Sequence, residues 1–163
     1  MHGTGVVPAL LPNLGRLGDK KARYADKYND QIAMLTLLHD TLLWVAYCNE
    51  RRFVQFYEKL DKWGYKDTSL EFEIYCTQKA IISDNPDVKI SYYRLKKDNK
   101  ALVIIGNIGE KENTFSLKID KKALGIGDNL KFTDFRSKDN STVNPDNITL
   151  PQFGLLVMEV QGK

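Results

Sequence analysis

Residues 49–64 read NERRFVQFYEKLDKWG and carry the clearest periodic pattern in the chain. Apolar side chains recur there at intervals of three and four residues, at Phe53, Phe56, Tyr57, Leu60 and Trp63. Polar residues occupy the intervening positions, so the pattern predicts an amphipathic helix over residues 50–63. Asn49 suits the N-cap, because its side chain can accept a bond from an unpaired backbone N–H. Gly64 is a typical residue at the end of a helix.

The preceding residues, 30–45, carry a broader apolar stripe. It is formed by Ile32, Met34, Leu35, Leu37, Leu38, Leu42 and Leu43. This spacing predicts another helix near 30–45, and a helix that is apolar over so much of its circumference must be buried on several sides. Residues 1–30 contain six Gly and Pro residues with little periodicity, which predicts a long loop.

Beyond residue 66 the period of the apolar residues changes to two. Val88, Ile90 and Tyr92 alternate with their neighbours, as expected of a strand. The runs ALVII (101–105) and LLVMEV (155–160) are apolar on nearly both faces, which predicts central strands. Further strands are predicted at 71–75, 115–119, 130–135 and 147–150, and Pro151 should end the last of these. Six or seven short strands separated by polar turns indicate an antiparallel sandwich.

The predicted fold class is therefore α+β, with an N-terminal segment of about two helices followed by a C-terminal antiparallel β-sandwich. The boundary is expected near residue 66, which separates loop and helices in 1–66 from the sandwich in 67–163. Strands are expected only after about residue 70, where the apolar period changes.

Composition excludes several classes of protein. The 163 residues are 42% hydrophobic and 28% charged, with 11 Gly and 5 Pro, which is a globular balance and not that of a disordered or collagen-like chain. The net charge of +3 is mild, and the basic residues form pairs, not the cluster or stripe of a nucleic-acid surface. No apolar run approaches the roughly 20 residues of a membrane-spanning helix. We expect neither a nucleic-acid partner nor a membrane partner, and localisation stays open.

The two cysteines, Cys48 and Cys76, have neither the number nor the spacing of a disulfide framework or a zinc site. Buried free thiols are expected, although their spacing does not exclude a bridge between them. With two histidines in the chain, we expect no metal site, and no phosphate-binding glycine motif indicates a cofactor.

Few residues suggest catalysis. His39 and Asp40 are adjacent, and a carboxylate beside an imidazole can tune it for acid–base work, but local bonds at a helix end explain the pair more simply. Four carboxylates fall in or beside predicted turns, at Asp84, Asp87, Asp134 and Asp139. A glycosidase needs two carboxyl groups roughly 5–10 Å apart, but aspartate is common in turns for backbone reasons. We therefore assign no catalytic residue, and the ligand-binding residues stay unknown.

The order of segments in 85–160 resembles the C-terminal β-sandwich that follows the (β/α)8 barrel in many glycoside hydrolases. The resemblance is carried by KISYYR (89–94), KALVIIGNIG (100–109), FSLKI (115–119), TDFRS (133–137) and ITLPQFGLLVMEV (148–160). Residues 3–8 (GTGVVP) and 37–49 (LLHDTLLWVAYCN) are similar, more weakly, to the last barrel segments of bacterial members. The family that the whole pattern resembles most is the family-123-like glycoside hydrolases.

This resemblance implies that the chain is a fragment: the tail of a barrel in 1–66 and a supporting sandwich in 67–163. A barrel takes about 250 residues, so the catalytic carboxylates would lie upstream, and this chain alone would be inactive. Its implied partner is the upstream catalytic barrel of the parent protein, and carbohydrate is the implied ligand class.

Two other functions fit the strand pattern. A carbohydrate-binding module would need an aromatic platform, for which Tyr92, Tyr93 and Phe135 are the candidates, although aromatic residues in strands are more often core. An immunoglobulin-like interaction domain would leave the apolar helices unexplained. Without a barrel, we also expect the chain to self-associate through residues 30–45, which Leu35→Glu and Leu38→Glu should disrupt.

Overall fold

The computed structural model describes residues 9–14 and 20–162. In this part of the chain the α-helices are α1 (Asp26–Leu38), α2 (Glu50–Trp63) and α3 (Lys121–Leu124), with 3-10 turns at Lys20–Tyr24 and Lys96–Asp98. The strands are β1 (Ala9–Leu10), β2 (Leu42–Leu43), β3 (Glu71–Glu73), β4 (Ile81–Ser83), β5 (Val88–Leu95), β6 (Lys100–Asn107), β7 (Asn113–Phe115), β8 (Leu117–Ile119), β9 (Lys131–Asp134), β10 (Ile148–Leu150) and β11 (Leu155–Gln161).

The C-terminal part is an antiparallel sandwich, as the period of two predicts. One layer is a five-stranded sheet in the order β3-β5-β6-β11-β9. The other layer consists of two short antiparallel ladders, β4 with β8 and β7 with β10. The predicted strand at 115–119 is divided at Ser116, because β7 and β8 pair with different partners. The sequence patterns missed β4 and α3.

The central strands β6 and β11 are buried on both faces, as predicted from their apolar runs. On β6, Ala101, Val103 and Ile105 face the core between the two layers, while Leu102 and Ile104 belong to a second core on the opposite face. That second core is completed by α1 and α2. The sandwich therefore has a layer of helices against one of its sheets.

The predicted helix at 50–63 is confirmed as α2. The Asn49 side chain accepts a bond from the backbone N–H of Arg52 at 3.3 Å, and Gly64 ends the helix with a φ of 116°, in the left-handed region. Phe53, Leu60 and Trp63 are buried.

The prediction of a helix near 30–45 is wrong at both ends, since α1 runs from Asp26 to Leu38. Asp40 has a left-handed φ of 50°, which ends the helix, and the chain then becomes extended. Leu42 and Leu43 form β2, which pairs in parallel with β1. Strands before residue 70 therefore exist, contrary to expectation. They were missed because two residues are too few to show a period.

The prediction of a long loop over residues 1–30 is also wrong for the residues that the structure describes. They include β1, a 3-10 turn and the start of α1. The resemblance at residues 3–8 lies outside the described residues. The domain boundary near residue 66 stays a prediction, although the helices before it share a core with the sheet after it.

The ion pair between Arg94 and Glu71 connects β5 to β3 and leads to a prediction on pH. Arg94 is buried and also donates to the carbonyl oxygens of Ala123 at 3.0 Å and Leu124 at 2.9 Å. Bonds from Arg94, and then from Lys96, lower the pKa of Glu71 from its ordinary value of 4.5. Because the unfolded chain takes up this proton more readily than the folded one, the stabilisation is present above pH 4.5 and is lost as the pH falls through the lowered pKa.

We expect wild type to lose more unfolding free energy between pH 7 and pH 3.5 than Glu71→Gln, which has no carboxyl group to protonate. Urea unfolding at the two pH values measures the difference. The effect should be modest, because the Glu71 side chain is 42% exposed. An equal loss in both proteins would contradict the assignment to Glu71.

Candidate functional site

His39 and Asp40 lie together at the end of α1 but bond to different groups. The Nδ1 atom of His39 is 2.8 Å from the carbonyl oxygen of Leu35, and its Nε2 atom is 3.4 Å from the hydroxyl of Tyr75. Neither ring nitrogen is therefore paired with the Asp40 carboxylate in the manner of a catalytic dyad. The arrangement matches local bonding at a helix end.

The Asp40 carboxylate instead accepts hydrogen bonds from two tyrosines, Tyr65 and Tyr93, each at 2.9 Å. Burial, and then the charge of Asp40, raises the pKa of Tyr65. Burial also raises the pKa of Tyr93, which is almost fully enclosed. Both hydroxyls therefore stay protonated and donate to Asp40. This cluster holds the turn after α1 against β5.

Two of the four carboxylates suggested by the turn pattern, Asp84 and Asp134, accept hydrogen bonds from backbone N–H groups. Asp84 accepts from the backbone N–H of Ser116 at 3.0 Å and from its hydroxyl at 2.8 Å, and these bonds lower the pKa of Asp84. Asp134 accepts from the backbone N–H of Arg136 at 2.8 Å. The backbone carbonyl of Asp87 accepts from Ile108 at 2.9 Å, and Asp139 is exposed in the loop after β9. The bond of Asp134 to a residue two positions further on is that of a turn aspartate, whereas Asp84 joins the end of β4 to the junction of β7 and β8.

The aromatic platform proposed for a carbohydrate-binding module does not exist. Tyr92, Tyr93 and Phe135 are all buried, with Tyr92 in the core between the two layers and the other two in the core beneath the helices. None of the three presents a ring face to a sugar. That interpretation of these residues is wrong.

A groove of about 670 Å³ lies between α1, α2 and the segment after β9. Its central carboxylate, Asp30, accepts from Arg136 at 2.8 and 3.0 Å and also from Arg52. Lys59 donates to the carbonyl oxygens of Phe135 and Ser137. The side chains of Arg52, Arg136 and Lys59 therefore already bond to groups of the protein. This network links the helices to the sandwich.

The strand pair β1–β2 has one covered face and one open face. Leu10, Leu43 and Val45 face the helices and pack against a small core that includes Ile32 and Phe53. The opposite side is left to solvent. The large side chains there are Leu11, Leu42 and Trp44, which are 59%, 54% and 65% exposed.

This open apolar face carries three of the ten large hydrophobic side chains that are exposed in the described part of the chain. Sequence patterns do not reveal the face, because Leu42 and Leu43 continue the apolar stripe of the preceding helix. The alternation of Leu42 and Trp44 with Leu43 and Val45 indicates a strand, but it covers too few residues to be distinguished from the end of a helix.

Both thiols are free; Cys48 is buried, which raises its pKa, whereas Cys76 is exposed, contrary to expectation. Within residues 9–14 and 20–162, no group of three or more His, Cys, Asp and Glu side chains is placed to hold a metal ion. None of the helices in the described part of the chain is long and apolar enough to cross a membrane.

No family model and no curated protein matches the sequence. Among solved structures, the chain is similar to a proposed α-N-acetylgalactosaminidase from Bacillus halodurans C-125, with a TM-score of 0.56, 13% identity, and coverage of 87% of this chain and 32% of that one. It also matches an exo-carrageenase of family GH42 from Bacteroides ovatus (TM-score 0.35, 14% identity, 86% of this chain and 21% of that one). A third match is a GH27 β-L-arabinopyranosidase from Geobacillus stearothermophilus (TM-score 0.38, 17% identity, 48% and 18%).

The chain spans about a third or less of each of these structures. At these identities the similarity shows the fold alone. The chain therefore has a fold like that of part of the Bacillus halodurans structure.

Proposed function

We propose that this chain is the non-catalytic C-terminal portion of a glycoside hydrolase, in which residues 1–66 complete a (β/α)8 barrel and the sandwich in 67–163 supports it. We extend the proposal to the family-123-like enzymes that the sequence resembles. The partner of this chain is then the upstream barrel of the same parent protein, and its substrate class is glycosides.

The observation that carries the proposal is the order β1-α1-β2-α2. The two strands are parallel, with Ala9 opposite Leu42 and Leu10 opposite Leu43, and α1 makes the crossover between them. Both helices contribute to the core on one face of the pair, through Ile32 of α1 and Phe53 of α2. Parallel strands joined by helices that cover one face are the repeating unit of a (β/α)8 barrel.

Two such units make a quarter of a barrel. The open apolar face supports the proposal, because it is the surface that further barrel units would enclose. Side chains on the inner face of a barrel are buried by the other strands. In this chain the equivalent face carries Leu11, Leu42 and Trp44 in contact with solvent. Six further units would cover Leu42 in the barrel interior and would contribute the two carboxyl groups that glycoside hydrolysis requires.

The test compares this chain with the product of its continuous upstream reading frame. We expect that frame to encode a barrel of about 250 residues in all, and the longer protein to hydrolyse at least one of a panel of aryl glycosides that includes N-acetylgalactosaminides. The chain alone should hydrolyse none of them. A frame without βα units, or turnover by the isolated chain that is lost in His39→Ala or Asp40→Ala, would contradict the proposal.

A related prediction concerns association of the isolated chain. Burying each large apolar side chain is worth roughly 1.5–3 kcal/mol, so we expect self-association through the exposed part of residues 30–45, at Leu42 and Trp44. Light scattering over a concentration series should show a rising mass, and Trp44→Glu should restore the monomer. Ile82→Glu, at a residue 52% exposed on the sandwich, is the matched control.

The structure also changes the choice of variants. Leu35 is 45% exposed and can carry a charge, whereas Leu38 is 1% exposed, so Leu38→Glu would unfold the protein instead of testing association. A wild-type chain that stays monomeric at high concentration would contradict the prediction.

A further inference from the structure

We propose that Trp44 forms part of the sugar-binding surface of the parent barrel, as a side chain that contacts the substrate. This inference rests on the proposed function. It begins with the position of Trp44, which directly follows the C-terminal end of β2. The backbone N–H of Trp44 donates to the carbonyl oxygen of Leu10 at 2.9 Å, so the residue is still held in register with β1.

The face on which Trp44 lies follows from the alternation along the strand. Leu43 and Val45 pack towards the helices, whereas Leu42 and Trp44 are exposed on the opposite side. In a (β/α)8 barrel the helices lie outside, so the side away from them is the interior. Leu42 then belongs to a lower layer of the interior, and Trp44 lies above it, at the end where the strands finish.

Active sites of such barrels lie at the C-terminal ends of the strands. Trp44 is therefore at the floor or wall of the catalytic pocket, together with Leu11, which follows β1 at the same end and is also exposed. Neither residue lies at the N-terminal ends of the strands, where side chains in barrels serve stability and not catalysis. A position in the pocket explains why a large aromatic side chain is exposed at residue 44.

The chemistry of the indole ring fits a pyranose. Ligand pockets are lined mainly by apolar and aromatic side chains, with a few polar groups that fix orientation, and tryptophan offers the largest flat apolar surface. The C–H groups on one face of a sugar ring can lie against that surface. The indole N–H is only a donor, so Trp44 can bind substrate but cannot act as the acid or base.

The backbone after Trp44 is well fixed. The Cys48 thiol donates to the carbonyl oxygen of Val45 at 2.9 Å, and the backbone N–H of Asn49 donates to the Asn29 side chain at 2.9 Å. These contacts hold the segment between β2 and α2 and set the direction in which the chain leaves the strand. A side chain on such a rigid support loses little freedom when it binds a ligand.

The experiment uses the longer protein encoded by the continuous reading frame and the aryl glycoside that it hydrolyses fastest. Trp44→Ala should raise KM at least tenfold with a smaller change in kcat, and Trp44→Phe should restore most of the affinity. Ile82→Ala is the control, at an exposed apolar residue of the sandwich, and should match wild type.

A second measurement does not depend on the alanine variant being folded. The protein is labelled with 5-fluorotryptophan, and the fluorine resonance of Trp44 is identified by its loss in Trp44→Phe. Titration with the monosaccharide that the enzyme releases should shift this resonance and leave that of Trp63, which is buried against the sandwich, unchanged.

Failure of this inference is distinguishable from failure of the proposed function. If wild type hydrolyses glycosides but Trp44→Ala keeps its KM and the Trp44 resonance does not respond to sugar, the inference is overturned and the proposed function stands. If the reading frame encodes no barrel, or wild type hydrolyses no glycoside, both are overturned before any variant is made.

Discussion

Replacing Asn107 with leucine should lower the free energy of unfolding by about 3–5 kcal/mol, because several polar groups that it satisfies would be left unpaired in the interior, at about 1–3 kcal/mol each. Asn107 lies at the end of β6 and is fully buried. Its side-chain amide donates to the carbonyl oxygens of Lys111 at 2.9 Å, Leu150 at 3.2 Å and Pro151 at 2.9 Å.

The oxygen of the same side chain accepts from the backbone N–H of Gly109 and from the Asn113 amide, both at 3.0 Å. One residue thus joins the end of β6, the turn after it and the second layer of the sandwich. Asn107→Asp keeps the acceptor but loses the donors, so it should also destabilise the fold. Leucine is branched at the same carbon and is larger, so the loss would come from unpaired polar groups and overpacking and not from a cavity.

Urea unfolding followed by circular dichroism measures this effect. Asn147→Leu is the matched control, since Asn147 is exposed in the turn before β10 and its substitution should change stability by less than about 0.5 kcal/mol. An Asn107→Leu protein within 1 kcal/mol of wild type would mean that water or neighbouring side chains replace these bonds.

Leu60→Ala should cost about 2–5 kcal/mol, the range for removing a buried leucine from a packed core. Leu60 is fully buried on α2, in the core that α2 shares with the large sheet. Val54→Ala on the same helix is the control. Val54 is 50% exposed and alanine favours a helix more than valine does, so stability should stay unchanged or rise slightly.

Chemical unfolding followed by Trp63 fluorescence reports this change, because Trp63 is buried in the same core. Hydrogen exchange of β6 and β11 gives a second readout. If the helices and the sheet unfold together, protection in both strands should fall with the loss of Leu60. Unchanged protection in the strands would show that α2 detaches on its own and that the shared core is not cooperative.

The sequence predicts α2 and the long strands well because each has enough residues to show its period. Between Glu50 and Trp63 the apolar positions repeat over nearly four turns, and Asn49 and Gly64 mark the ends. Strands β5, β6 and β11 are seven or eight residues long, and their predicted positions hold.

The candidate site was less predictable, because it is made by the shortest elements. Nothing in the apolar run from Leu42 to Val45 distinguishes the last turn of a helix from two residues of strand. The deciding contact is the parallel pairing with Leu10, which is more than 30 residues away in the sequence. Local patterns do not contain such a contact, so the open face that holds Trp44 became visible only in three dimensions.

The close approach of α1 to Gly106 has a consequence for engineering. A side chain at Gly106 would have its first carbon 2.7 Å from the Cγ and Sδ atoms of Met34 and 3.0 Å from Leu38, so the helix rests directly on the strand backbone. The helical segment and the sandwich could therefore not be exchanged as independent modules between related proteins. A hybrid protein would have to inherit Met34, Leu38 and Gly106 from the same parent, because a crossover point between residues 38 and 106 would separate surfaces that are shaped for each other.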